Sequence, residues 1–216
     1  MGAPERVALS RELVAQTALA ITDSDGLEGL SMRKLGSALG VEAMSIYHYV
    51  DNKDDLLAAL VDRLYGEIEL PAEIPDHDWE QSFRSALQSF YGVLLRHPAA
   101  LELFTTQPSS SANGMAVLGW AYDRCRLAGL GPAEAARTFH LCVAFVIGHA
   151  ATELGMMAQL ADGRPSELDN SAVAADFAEF LEHNAANKGQ DVFDDGLEML
   201  FSSLANTFGL SRQDAS

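Results

Sequence analysis

Arg33, Lys34, Ala43, Met44, Ser45, Tyr47, His48, Tyr49 and Lys53 crowd into one short stretch of this 216-residue chain. Their chemistry suits the surface of a nucleic-acid duplex. A guanidinium donates two parallel hydrogen bonds to guanine O6 and N7, and an apolar group such as a thioether packs on the thymine methyl. Hydroxyls and an imidazole reach bases or phosphate, and an ammonium neutralises phosphate. Arg33 is therefore the candidate for a guanine contact and Met44 for a thymine methyl. A face kept only for solvation would carry Glu and Lys instead.

Two short helices folded across a tight turn would hold these residues, over the stretch SMRKLGSALGVEAMSIYHYVDNK from Ser31 to Lys53. Leu35 and Leu39 lie four apart on one helical face, and Ile46 and Val50 repeat that spacing beyond the turn. Gly40 supplies a left-handed stop that a residue with a Cβ resists. Ser31 stands where the second helix of the chain needs its cap. A first helix is expected from about Ser10 to Ser24, capped by Ser10 and ended by Gly26. Its apolar stripe is Leu13, Val14, Thr17, Ala18 and Ile21. After the reading helix, Asp51 or Asn52 caps a fourth helix of about 18 residues, with Leu56, Leu57, Leu60, Val61, Leu64 and Ile68 inward. Its unpaired N-terminal amides beside Lys53 suit a phosphate, with Asp54 and Asp55 assigned to the cap. Periodicity alone also fits a plain helical hairpin whose tyrosines cap a local core.

The order LGV-x-x-x-S-I-Y-x-Y-V, followed by N-K-D-D-L-L, resembles the N-terminal domain of the TetR family of transcriptional regulators from about Ala8 to Leu64. The resemblance implies that the helix matching Glu42–Tyr49 enters the major groove. It also implies an Arg contact at the position of Arg33 and a Lys at the position of Lys53 touching phosphate. The ending D-x-F-D-D-G-L-E-M-L-F is similar to the closing helix of the tetracycline-repressor-like branch, in which late helices of two subunits form a four-helix bundle. That branch carries a metal-ligating His in the short helix matching Ala99–Thr106. Here the stretch reads AALELFTT, which argues against a magnesium–tetracycline chelate as effector.

Apolar residues make up 48% of the chain, as expected of a globular protein with a well-buried core. No apolar run is read as reaching the ~20 residues that span a bilayer, and MGAPERVALS lacks the marks of a secretory signal. A cytoplasmic location without membrane contact is expected. Cys125 and Cys142 are then expected to be reduced core thiols. The formal charge is −17, but residues 1–53 hold five Lys and Arg against seven Asp and Glu, while residues 54–216 hold nine against 24. An acidic body on a nearly neutral head lowers non-specific DNA binding and leaves relative specificity to base contacts.

Pro71 and Pro75 break the pattern after the fourth helix, so the domain boundary is placed there, with residues 1–70 as the reading domain and 71–216 as the second domain. Helices are expected over Trp79–His97, Ala99–Thr106, Met115–Leu130, Ala133–Leu160, Val173–His183 and Asp191–Phe208. The Ala133–Leu160 segment is apolar nearly all round and should be buried on several sides. Phe83, Leu87, Phe90, Leu101, Phe104, Trp120, Phe139 and Phe145 are candidates to line a ligand cavity between helices, although aromatic stripes at this spacing also serve as plain core. His140, His149 and Glu153 are too few for a metal site, and the pair His149–Glu153 fits a polar contact across a helix interface. No cofactor or metal is expected.

There is no Gly-rich phosphate loop, nucleophile elbow, HExxH or thiol cluster, so catalysis is not expected. The chain reads as all-α: an N-terminal three-helix helix-turn-helix domain and a larger helical domain for dimerisation and ligand binding. Its expected partners are double-stranded operator DNA, a small-molecule effector and a second copy of itself. The competing readings are a helical small-molecule-binding or enzymatic protein whose N-terminal helices only scaffold, and an architectural protein that binds DNA without an effector.

Overall fold

Ser10 opens the first helix by its own chemistry, an extended backbone with Oγ accepting the Leu13 N–H at 3.1 Å. The structure is a computed structural model that describes residues 8–71, 79–107, 110–161 and 189–210, and among these residues the regular elements are all helices. They are α1 (Arg11–Asp25), α2 (Met32–Leu39), α3 (Ala43–Ile46), α4 (Lys53–Gly66), α5 (Trp79–Arg96), α6 (Leu103–Thr106), α7 (Ala112–Leu127), α8 (Pro132–Ala161) and α9 (Gly189–Phe208), with 3-10 turns at Leu27–Gly29 and Pro98–Ala100. The helix expected at Val173–His183 lies outside the described residues.

Two compact units result: residues 1–70 with 88–121, and residues 71–87 with 122–216. In the first, α1 packs against both α2 and α4. Serving two neighbours turns its buried stripe to Val14, Ala15, Ala18, Leu19, Ile21 and Thr22, and leaves the expected Leu13 and Thr17 half-buried at its edge. Helix α4 is 14 residues long, shorter than the sequence pattern suggested. Its last residue, Gly66, holds a helix weakly, and the Glu67 amide turns back to the Leu64 and Tyr65 carbonyls. Ile68 stays buried on the turn that follows.

In the second unit, Trp79 and Phe83 of α5 pack edge-on or tilted against Phe201 of α9, with centroids 5.8 and 6.4 Å away. Arg84 pairs with Glu80 and Glu198 at 2.9 Å each and lies 5.5 Å over the Phe201 ring. Helix α9 meets α8 at glycines, because a Cβ on Gly196 would sit 2.5 Å from the Phe145 ring. Among the described residues, helix α8 is not enclosed as its composition suggested. Its buried positions, Ala135, Thr138, Cys142, Val146 and Ala150, form one stripe at spacings of three and four. Leu141, Met156 and Met157 on its remaining surface are about half exposed, as is Val192 of α9 less strongly and Met199 more so. A helix apolar all round needs neighbours on several sides, and the described residues leave this part of its surface about half exposed. By length and composition α8 is also apolar enough to cross a membrane, contrary to the sequence expectation, since Pro132–Ala158 is a long window with few formal charges.

Candidate nucleic-acid interface

The turn between α2 and α3 is built from capping and close approach. Ser31 Oγ accepts the Lys34 amide at 3.2 Å, and Gly40 at φ 68° ends α2 in the left-handed region. The Val41 amide then returns to the Gly36 carbonyl at 2.9 Å. Leu35, Ile46 and Val50 are fully buried, while Leu39 is only partly covered. Gly36 is a requirement that hydrophobic spacing did not reveal. A Cβ there would lie 2.9 Å from the Val41 carbonyl oxygen and 3.2 Å from the Ala43 nitrogen, so the two backbones touch at this residue.

Helix α3 proper covers Ala43–Ile46 and does not run to Tyr49 as a regular helix. The Tyr49 amide bonds to the Ile46 carbonyl three residues back, at 2.8 Å, and the chain tightens so that Asn52 can cap α4 by accepting the Asp55 amide. On this framework Met44 is 74% exposed and Tyr47 43%. Arg33, Lys34, His48 and Lys53 are exposed, and Ala43, Ser45 and Tyr49 are half-buried. Among the described residues Arg33 and Lys53 have no ion-pair partner. Lys34 bonds to Asp25 at 2.6 Å and holds that carboxyl below its ordinary range.

Arg11 and Asp55 were not singled out for this role by any sequence pattern, because they stand on different helices. Arg11 donates to the Tyr49 carbonyl at 2.8 Å and grips Asp55 with both terminal nitrogens, at 2.8 and 2.6 Å. The Asp51 amide donates to the same carboxylate at 2.9 Å. The Arg11 fork, opposed by burial, brings the Asp55 carboxyl down to about 2. Asp55 is thus a tie between α1, α4 and the turn after α3, and Asn52 alone supplies the side-chain cap.

The residues proposed for a ligand cavity divide between the two units. In the first unit, Phe104 stands edge-on to Phe90 at 5.1 Å and to Tyr65 at 5.2 Å, with Leu101 and Trp120 half-buried. In the second, Phe83 and Leu87 are buried, Phe145 stacks on Phe193 at 5.5 Å, and Phe139 is half-buried. An open cleft of about 560 Å³ in the first unit is lined by Arg11, Glu12, Ala58, Asp62, Arg63 and Ser111, and by none of those residues. His149 Nε2 lies 3.0 Å from the Gly189 carbonyl, to which its N–H donates, with Glu153 at 4.0 Å, so this pair spans the α8–α9 interface. His140 is exposed. Cys125 and Cys142 are free and buried, and burial raises their thiols to about 11 and about 12.

Comparison with known proteins agrees with this geometry. Residues 16–60 match the profile described as bacterial regulatory proteins, tetR family, and residues 70–208 match the tetracyclin repressor-like C-terminal domain. The chain is 32% identical to an HTH-type transcriptional regulator of Saccharopolyspora erythraea, over 94% of this chain and 87% of that one. It is 30% identical to the HTH-type transcriptional repressor DrrR1 of Streptomyces coeruleorubidus, over 68% of this chain and 54% of that one. Among solved structures it is similar to the TetR family protein ActR of Streptomyces coelicolor in complex with actinorhodin, with a TM-score of 0.74, 25% identity, and coverage of 93% of this chain and 97% of that one.

Proposed function

Because the chain belongs to the TetR family of bacterial transcription regulators, we propose that it is a homodimeric repressor released from its operator by a small molecule. The observation that carries this reading is the exposed row of Met44, Tyr47 and His48, flanked by Arg33 and Lys53 without counter-ions among the described residues. Arg33 is assigned to a guanine, Met44 to a thymine methyl, and Lys34, Ala43, Ser45, Tyr47, His48 and Tyr49 to bases and nearby phosphates. Lys53, at the N-terminus of α4, takes a phosphate. The half-exposed apolar surfaces of α8 and α9 are assigned to a second copy of the chain.

Two reading heads enter successive major grooves only when they stand ~34–36 Å apart. An effector favouring another spacing releases the operator by its differential affinity for the two states, with ~5.5 kcal/mol needed for a near-complete switch. Its site is assigned to the second domain, taken as residues 71–216 against a reading domain of 1–70. Phe83, Leu87, Phe90, Leu101, Phe104, Trp120, Phe139 and Phe145 remain the candidates. The same reading makes the protein a cytoplasmic regulator without catalytic activity.

Selection of operator from random DNA, repeated with a metabolite panel, tests the proposal. Arg33→Ala should weaken operator binding by about 1–3 kcal/mol and relax preference at one base pair, whereas Lys53→Ala should weaken all sequences alike. A chain that retains no DNA even at low salt would leave the N-terminal helices as scaffold and overturn the proposal.

A further inference from the structure

His97, which follows α5, is mostly buried in the first unit and presents both ring nitrogens to carboxylates. Nδ1 lies 2.9 and 3.0 Å from the two oxygens of Asp23, near the end of α1. Nε2 lies 3.1 Å from Glu67 Oε2, one residue beyond α4. A neutral imidazole has one N–H and one lone pair, so it would aim that lone pair at a carboxylate. Only the doubly protonated ring satisfies both contacts.

The charged groups around it come from three helices. Asp23 stands on α1 and Glu67 at the end of α4, and Glu67 is also approached by Arg96 of α5 at 3.5 Å and by Arg63 of α4 at 3.8 Å. Arg63 pairs in turn with Glu12 of α1. With the ring charged, His97, Arg63 and Arg96 balance Glu12, Asp23 and Glu67. With the ring neutral, a partly buried cluster is left with one negative charge too many.

We propose that His97 is a positioning residue for operator binding, its proton tying the ends of α1 and α4 to the end of α5. The start of α4 carries Asp55, which reaches the Tyr49 carbonyl through Arg11, so play at one end of α4 is felt in the reading turn at the other. Removing either ring hydrogen turns a lone pair toward a carboxylate, so the tie is complete only while both nitrogens carry hydrogen. The operator half of this inference rests on the DNA-reading function proposed above; the tie itself does not.

The test uses the full-length protein with His48 intact, and operator affinity is judged at each pH by the difference between the wild type and the variants at His97 and Asp23. Amide hydrogen exchange in the last turns of α1 and α4, corrected for the intrinsic effect of pH, is compared at pH 6 and pH 8 alongside affinity for a selected operator. Exchange should quicken, and affinity fall, by roughly three- to tenfold once the ring has lost its second proton. His97→Gln should show the loose behaviour at both values. Asp23→Asn should show the tight behaviour at both, because the amide can donate to Nδ1 of a neutral ring whose Nε2–H keeps Glu67. A merely structural role would not move these two variants in opposite directions. Unchanged pH dependence of exchange in both variants would overturn the tie. Exchange that responds while operator affinity does not would overturn the positioning role. Failure to select any operator, with exchange responding, would overturn the DNA-reading function and leave the tie supported.

Discussion

Replacing Asp55 with Asn removes the charge gripped by Arg11 while leaving an oxygen for the Asp51 amide. A carboxyl brought from 3.8 down to about 2 corresponds to at most about 2.4 kcal/mol of stability. Arg11 is half exposed, and solvent screening brings the useful part to about 1 kcal/mol. The sign follows from the direction of the shift. A depressed carboxyl stabilises the fold above its ordinary value near 3.8, and that contribution is lost as pH falls toward 2. Urea unfolding of wild type, Asp55→Asn, Arg11→Ala and the double variant at pH 7, 5, 4 and 3 measures the pair as a cycle. The coupling should be about 1 kcal/mol from pH 7 to near pH 4 and about half of that at pH 3. Coupling under about 0.3 kcal/mol at pH 7, or a loss that does not shrink on acidification, would refute the reasoning.

Gly36→Ala should cost about 1–3 kcal/mol and weaken operator binding, because a Cβ has no room between α2 and α3; thermal unfolding and gel shift read both effects, and a neutral substitution would show that the turn can spread. Cys125 and Cys142 should resist alkylation at pH 8 in the folded protein and react quickly in denaturant, since burial keeps them as thiols. Leu141→Glu should shift the chain from dimer to monomer in sedimentation if the uncovered face of α8 meets a second copy, and an unchanged dimer would move the interface elsewhere.

The beginnings of the early helices were legible in the sequence because caps act over three or four residues. Ser10, Ser31 and Asn52 each accept an amide three positions on, and Gly26 and Gly40 take positive φ where α1 and α2 stop. The exposed Met44 and Tyr47 were legible for the same reason, as Ile46 and Val50 use up the inward positions around them. The ends of α3 and α4 were less so, since each gives way to a tight turn that hydrophobic spacing does not distinguish from a further helical turn.

Short-range chemistry in the chain therefore determined the helical class, the order of the early elements and the side chains left exposed between α2 and α4. Folding decided the rest: that Arg11 finds Asp55 across 44 residues, that His97 finds Asp23 across 74, and that among the described residues Leu141, Met156 and Met157 of an apolar α8 stay about half exposed. Capping and periodicity depend on neighbours within a helical turn, which a sequence displays directly. Ion pairs between helices and the sidedness of burial depend on which distant segments meet, and that is settled only when the helices pack.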